Sequence, residues 1–118
     1  MESDRKVDYL HHYREGVGAL KEKFPQIMDA YHHFTGLCFE EGALSVKEKH
    51  LIALGTSIAS QDDYCMIYHT EGSLHAGASE DEVLEAVAVA GALGGGTAMS
   101  QGVTTVQDTL AEWHHVQH

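Results

Sequence analysis

The sequence predicts an all-α protein folded as a single domain over residues 1–118. Its length is that of one ordinary domain. No segment alternates apolar and polar residues over six positions with β-branched enrichment, as a half-buried strand would. Two Ser-x-x-Glu patterns, Ser45 with Glu48 and Ser79 with Glu82, precede apolar runs and predict helix starts closed by capping boxes. We expect about six helices.

The first two predicted helices are residues 5–23 and a segment that begins at Pro25. Proline suits the first turn of a helix because it has no N–H to leave unpaired there. Apolar residues follow at the helical spacing i, i+4, i+7 and i+11. They are Ile27, Tyr31, Phe34 and Cys38. Gly42 is placed where a helix end favours a left-handed residue.

Two capped helices are predicted in the middle of the chain. The first covers residues 46–60 and presents a broad apolar face. The second follows Gln61 and runs to about residue 76, where Gly77 is expected to end it.

The last third of the chain contains the most apolar predicted helix, residues 80–93. It is apolar nearly all round, which predicts burial on most sides by the core and by another subunit. Glycines 94–96 predict a break, and a final helix is expected over residues 97–113.

The charge balance excludes some partners. The chain has 7 Lys and Arg against 18 Asp and Glu, a formal net charge of -11. This charge argues against nucleic acid and anionic membranes as partners, since few cations are available to neutralise phosphates. No unbroken apolar run reaches 18 residues and the polar N-terminus has no signal core, so we expect a cytoplasmic protein. The 2 cysteines are expected to be thiols there.

Residues 61–69 are the strongest candidate for chemistry. If Asp62 is the N-cap of a helix, Cys65 occupies its third position and His69 follows one turn later on the same face. The partial positive charge of a helix N-terminus favours a thiolate over a thiol. The sequence therefore predicts an activated cysteine beside a histidine that can exchange a proton.

Residues 47–54, 64–69 and 75–82 resemble the carboxymuconolactone decarboxylase / AhpD-like alkylhydroperoxidase family, with the likeness extending over about residues 42–96. The resemblance implies an all-helical fold and a homo-oligomer, commonly a trimer or hexamer. The peroxidase branch of that family carries Cys-x-x-Cys-x-x-x-His, with a glutamate on the preceding helix.

The resemblance also implies roles for individual residues. Cys65 matches the cysteine that attacks the hydroperoxide, His69 the proton-relay histidine and Tyr64 the residue between the two cysteines. Asp62 stands in place of the resolving cysteine, and His50 in place of the glutamate. The function implied is a thiol-dependent peroxidase that needs no cofactor and whose oxidised Cys65 is reduced by an external thiol or by Cys38.

Three alternatives remain open from the sequence. His50, Asp62, Cys65 and His69 all carry donors that suit Zn²⁺ or Fe²⁺. His50 and His69 could instead act as acid and base in a non-redox decarboxylase, although no Lys or Arg lies near Cys65 in sequence to bind a carboxylate. Cys65 could also be a structural thiol. Adjacent histidine pairs are predicted to be solvated surface residues. They are His11–His12, His32–His33 and His114–His115.

Overall fold

The computed structural model describes residues 2–117, with side chains from residue 8 to residue 115, and contains no strand among them. The helices are α1 (Glu2–Lys23), α2 (Pro25–Cys38), α3 (Val46–Ala59), α4 (Asp63–His75), α5 (Glu80–Gln101) and α6 (Gln107–Gln117). A π-helical turn, Gly102–Val106, joins α5 to α6. The prediction of an all-α fold is confirmed.

The core lies among α3, α4, α5 and the π-helical turn. Each of these elements contributes fully buried apolar side chains to one cluster. Its largest members are Leu54, Ile58, Met66, Val83 and Val106. Burial of one such side chain contributes about 2 kcal/mol, so this cluster fixes α3 and α4 against each other.

The predicted helix starts are confirmed by their hydrogen bonds. The Ser45 hydroxyl accepts from the Glu48 N–H at 3.1 Å, and a Glu48 carboxylate oxygen accepts from the Ser45 N–H at 2.8 Å. Ser79 and Glu82 form the same box at the start of α5. Asp62 caps α4 by accepting from the Cys65 N–H at 3.0 Å. Sequence and structure therefore agree on where the helices that carry the candidate residues begin.

Of the three places where glycine was expected to end or break a helix, two are confirmed and one is not. Gly77 follows α4 with φ +99°, and Gly95 interrupts α5 with φ 82° and ψ -168°. Both values fall where glycine has no steric penalty. The expectation for Gly42 is wrong, because α2 ends at Cys38 and, among the described residues, Gly42 is not one with positive φ. Gln61, just before the α4 cap, has φ 59°, which the sequence did not reveal.

The predicted helix over residues 97–113 is divided by the π-helical turn. Widening the helical ladder frees backbone carbonyls, and nearby side chains bond to them. The Thr104 hydroxyl donates to the carbonyl of Ser100 at 2.9 Å, and the Gln107 amide donates to that of Val103 at 2.9 Å. The turn also directs Val106 into the core.

Helix α2 is a helix as predicted but contributes little to the core. It packs mainly against α1, and its one buried residue is Met28. Ile27, Tyr31 and Phe34 of the apolar stripe are 60%, 53% and 64% exposed. Because α2 does not lie flat on α3 and α4, an open space is left between them.

Helix α5 is only partly buried by the chain itself, and its predicted burial by another subunit stays a prediction. Val83 and Val87 are in the core, whereas Val89 and Leu93 are 63% and 88% exposed. The helical segment Glu80–His115 is long and apolar enough to cross a membrane by length and composition, with a mean hydropathy of 1.4 in one window. A core helix passes the same test, and this segment supplies several core residues.

Candidate active site

The space between α2 and the α3–α4 pair is a cavity of about 550 Å³. Its described lining comes from α1, α2, α3, α4 and the residue that follows α2. The lining residues are Tyr13, Tyr31, His32, Thr35, Gly36, Phe39, His50, Tyr64, Cys65, Tyr68 and His69. His50, Tyr64, Cys65 and His69, all predicted from the sequence, are therefore brought to one cavity.

Helix α4 places Cys65 and His69 on the cavity side. The Asp62 cap fixes the first turn, so the thiol at the third position and the imidazole one turn later face the same space. Both side chains are half-buried. Asp62 itself is exposed and does not line the cavity, but its carboxylate lies against the first turn that carries Cys65.

His50 of α3 and His69 of α4 form a direct contact in the cavity wall. Their Nδ1 atoms are 3.0 Å apart, a hydrogen-bond distance. When both rings are neutral, one Nδ1–H donates to the other Nδ1. The donor ring then has a free lone pair on Nε2, and the acceptor ring has an Nε2–H. The pair therefore presents one base and one acid at the same time.

Burial keeps this histidine pair neutral. Burial lowers the pKa of His50 below its ordinary value. Burial, together with the positive charge of a protonated His50, lowers the pKa of His69 to about 4. Both imidazoles are consequently uncharged near neutral pH, which is the state in which they can pass a proton through the pair.

Two neighbours fix the orientation of the pair. Phe39, the C-cap of α2, stacks on His69 with ring centroids 5.4 Å apart and planes 7° apart, and it contacts His50 at 4.9 Å. Gly72 of α4 faces the His50 ring, and a Cβ at Gly72 would lie 2.5 Å from His50 Nδ1. A side chain at this position would therefore push the imidazole away from His69.

The environment of Cys65 contradicts the predicted thiolate. Burial, together with the Asp62 carboxylate as hydrogen-bond acceptor and as negative charge, raises the pKa of the thiol to about 11. The N–H that could have stabilised a thiolate is already bonded to Asp62. The residue that caps the helix thus opposes the effect of the helix N-terminus, and Cys65 is a thiol at neutral pH.

Aromatic side chains form most of the remaining wall. Tyr13 of α1 stacks on Tyr64 with centroids 3.8 Å and planes 8° apart, and Tyr64 stacks on Tyr68 at 5.9 Å. Burial raises the pKa of Tyr64 to about 12 and also raises that of Tyr13, so both rings are neutral. Tyr64, expected only as a supporting residue, is therefore part of a continuous aromatic surface.

The sequence analysis missed the contribution of α1 and α2 to this cavity. Tyr31, Thr35 and Phe39 recur every four residues, and this spacing was a signal that they share one face. No comparable signal marks Tyr13. The adjacent histidines are exposed as predicted, but His32 also borders the cavity.

The proposed metal ligands do not form a metal site. In the part of the chain that the structure describes, no three His, Cys, Asp or Glu side chains are placed to hold an ion together. His50 and His69 direct their Nδ1 atoms at each other instead. The alternative ligand set His50, Asp62, Cys65 and His69 is therefore wrong in this geometry. Cys38 is exposed at the end of α2 and is not among the described lining residues.

Gly72→Ala is expected to separate the two imidazoles while leaving the helices folded. The new methyl group must displace the His50 ring, because that ring is the group it meets. We expect loss of the Nδ1–Nδ1 hydrogen bond, measured by the ¹⁵N chemical shifts of the imidazoles. Gly55→Ala in α3 is the control, since a Cβ there meets nothing within 4 Å. In the control the shifts should stay unchanged and the free energy of unfolding should rise by about 0.5–1 kcal/mol. Unchanged imidazole shifts in Gly72→Ala would contradict the positioning role.

Asp62→Asn is expected to lower the pKa of Cys65. Asparagine caps a helix as well as aspartate does, so the change removes the charge and keeps the cap. The rate of Cys65 alkylation at fixed pH should rise about tenfold for each unit by which the pKa falls. The measurement uses protein in which Cys38 is replaced by Ala. Asp63→Asn is the control, because Asp63 is equally close to the helix start but does not raise the pKa of the thiol. If the alkylation rate changed equally in both variants, the effect would come from any negative charge near the helix start, and a specific effect of Asp62 on Cys65 would be contradicted.

Comparisons with known proteins agree with this architecture. The chain is 32% identical over 82 residues to uncharacterized protein 4 of the cox locus of Paracoccus denitrificans, covering 70% of this chain and 74% of that protein. Among solved structures, a carboxymuconolactone decarboxylase family protein from Legionella pneumophila superimposes with a TM-score of 0.84 at 21% identity, covering 92% and 96% of the two chains.

A second solved structure has the same fold. It is a family protein of Thermotoga maritima for which a part in the antioxidative response has been suggested, with a TM-score of 0.79, 22% identity and coverage of 96% and 92%. The sequence profile of the carboxymuconolactone decarboxylase family matches residues 25–108, which include every predicted catalytic residue. The chain therefore belongs to the carboxymuconolactone decarboxylase family.

Proposed function

We propose that this protein is a thiol-dependent peroxidase in which Cys65 is the nucleophile and the His50–His69 pair is the proton relay. The observation that carries the proposal is the 3.0 Å Nδ1–Nδ1 contact in the wall of the cavity that Cys65 also lines. Family membership and the suggested antioxidative part of the Thermotoga maritima protein support it.

The proposed reaction converts a hydroperoxide ROOH and the Cys65 thiol into a sulfenic acid and the alcohol ROH. The sulfur attacks the terminal peroxide oxygen, an S–O bond forms and the O–O bond breaks. One imidazole takes the thiol proton on its free Nε2. The other gives its Nε2 proton to the leaving alkoxide, while the proton between the two Nδ1 atoms moves across. The pair ends in the opposite tautomer and never carries a charge.

This relay suits a thiol that is protonated at rest. With a pKa of about 11, Cys65 has very little thiolate at neutral pH. A neutral relay removes the proton only as the S–O bond forms, so no free thiolate has to accumulate. A protonated relay could not accept the thiol proton, and the lowered pKa values of both His50 and His69 keep the pair unprotonated at neutral pH.

The catalytic cycle would close through an external thiol. Asp62 occupies the resolving position, so the internal disulfide of the family's peroxidases cannot form between these two positions. One external thiol condenses with the sulfenic acid to a mixed disulfide and water, and a second releases Cys65 as the thiol. Cys38 remains a candidate resolving residue under this proposal.

A second candidate function is a non-redox lyase of the decarboxylase type. The raised pKa of Cys65 favours it, since a neutral histidine pair can move a proton on a substrate without any thiolate. However, no Lys or Arg is found among the described residues that line the cavity, so a carboxylated lactone would lack a counter-ion. We therefore rank it second.

The pH dependence of peroxide turnover distinguishes the relay from attack by free thiolate. If the neutral relay operates, kcat/KM is expected to be nearly flat from neutral pH to about pH 10, because both imidazoles are neutral there and Cys65 is protonated below about 11. The rate falls in acid, where the pair gains a proton, first on His50 and then, near pH 4, on His69. Attack by free thiolate would instead give a rise of about tenfold per pH unit below the thiol pKa.

Two variants serve as controls for this measurement. Cys65→Ser should abolish turnover of peroxide in the presence of a dithiol, and His50→Gln should reduce it and remove the flat region. Cys38→Ala should leave the profile unchanged if the reductant is external. Full turnover by Cys65→Ser would exclude Cys65 as the nucleophile, whereas no peroxide turnover by the wild-type protein would favour the lyase.

We also propose that the protein is a homo-oligomer, a trimer or a hexamer. The exposed apolar side chains of α2 and α5, Phe34 and Leu93 among them, support it, since monomers seldom leave such surfaces in water. Light scattering is expected to give three or six times the mass of the chain, and Leu93→Glu with Phe34→Glu to lower it. A monomeric wild-type protein would contradict the proposal.

Cytoplasmic location and the absence of nucleic-acid and membrane partners remain predictions.

A further inference from the structure

We propose that the cavity selects an uncharged organic molecule with an aromatic ring. The molecule would lie between the tyrosines that border the cavity and the end of the cavity that contains Cys65 and His69, called the reactive end below. This inference gives the substrate class of the proposed peroxidase. It rests on that proposed function, which identifies the reactive end of the cavity. It predicts rejection of carboxylates and of ammonium ions with the same carbon skeleton.

The walls supply the surface that a ring prefers. Tyr13, Tyr31, Phe39, Tyr64 and Tyr68 border the space, and they come from α1, α2, the end of α2 and α4. Aromatic rings contact other rings favourably in stacked and edge-on arrangements. The volume of about 550 Å³ is within the range of small-molecule sites and exceeds what a peroxide without a large organic group would fill.

The charges around the cavity disfavour an anion. Among its described lining residues none is Lys or Arg. Arg14 of α1 acts electrostatically on Tyr64 but does not line the space. The Asp62 carboxylate lies beside Cys65, so a substrate carboxylate near the reactive end would meet a like charge. An anion entering the cavity would lose water without gaining a counter-ion.

The pKa values of the ionisable groups in the wall indicate whether the cavity favours a negative or a positive charge. Burial raises the pKa of Tyr64 to about 12, which means that a negative charge is disfavoured at this wall. The described lining also contains no Asp or Glu that could pair with a cation, and the pKa of His69, lowered to about 4 mainly by burial, means that a positive charge is disfavoured beside this ring. The lack of Lys and Arg among the described lining residues and the shifted pKa values of Tyr64 and His69 both indicate a neutral ligand.

The reactive end offers hydrogen bonds that suit a neutral oxygen. With the two Nδ1 atoms bonded to each other, the pair keeps one Nε2–H and one Nε2 lone pair, so one ring can donate to a neutral oxygen and the other can accept from a hydroxyl. A carboxylate could use only the donor. The pair therefore adds to the selectivity that the wall provides.

The test compares three unreactive probes that share a phenyl ring and a two-carbon chain and differ in the group that ends it. They are 2-phenylethanol, which is neutral, phenylacetate and phenethylammonium. Binding to the wild-type protein is measured by calorimetry at pH 7.5. We expect 2-phenylethanol to bind at least about tenfold more tightly than either ion, and more tightly than 2-cyclohexylethanol, which lacks the aromatic face. Equal or tighter binding of phenylacetate or phenethylammonium would overturn the inference.

Two variants on α2 locate the binding. Tyr31→Ala should weaken the binding of 2-phenylethanol, whereas His33→Ala should not, because His33 is an exposed ring on the same helix that does not line the cavity. Thr35→Lys places a cation in the lining and should strengthen the binding of phenylacetate by about tenfold or more. Equal effects of Tyr31→Ala and His33→Ala, or no gain for phenylacetate in Thr35→Lys, would contradict this site.

The probes carry no peroxide, so the outcome is independent of catalysis. Selective binding of 2-phenylethanol together with a turnover that rises tenfold per pH unit would support the substrate class and contradict the relay. A flat pH profile together with equal binding of the three probes would support the relay and contradict the substrate class.

Discussion

The hydrogen bond between His50 and His69 is the constraint on which the site depends. It requires α3 and α4 to pack so closely that two imidazoles meet, and the core residues Leu54 and Met66 hold the two helices at that distance. It also requires a glycine at position 72, because any side chain there would occupy the space of the His50 ring. The helix packing thus determines the chemistry, since the pair offers an acid and a base only while the two Nδ1 atoms remain in contact.

Asp62 has two effects that oppose each other. As N-cap it satisfies the Cys65 N–H and fixes the start of α4, which places Cys65 and His69 on one face. As a carboxylate beside a half-buried thiol, it raises the pKa of that thiol. A cysteine at this position would have lacked the charge and supplied a disulfide partner. Under the proposed mechanism, Cys65 therefore needs its proton removed during the reaction and does not need to be a thiolate at rest.

The sequence predicted local features better than their tertiary consequences. The caps at Ser45, Asp62 and Ser79 are satisfied by residues within one turn, so their patterns could be read directly. The pKa of Cys65 was predicted with the wrong sign, because helix position alone does not indicate burial or the side on which the Asp62 charge lies. The contact of His50 with His69 and the placement of Tyr13 against Tyr64 depend on packing between separate helices, for which the sequence carries no periodic signal.

The position of α2 connects the outer surface to the reactive groups. Its C-cap residue, Phe39, stacks on His69, and Tyr31 of the same helix borders the cavity, while the apolar stripe that continues through Phe34 faces away from the core. A partner that covers the exposed side of α2 would therefore act on the same helix that orients the histidine pair. Since α2 packs mainly against α1, little within the chain itself fixes its distance from α3 and α4. The proposed assembly would in this way be linked to the geometry of the candidate site through one helix.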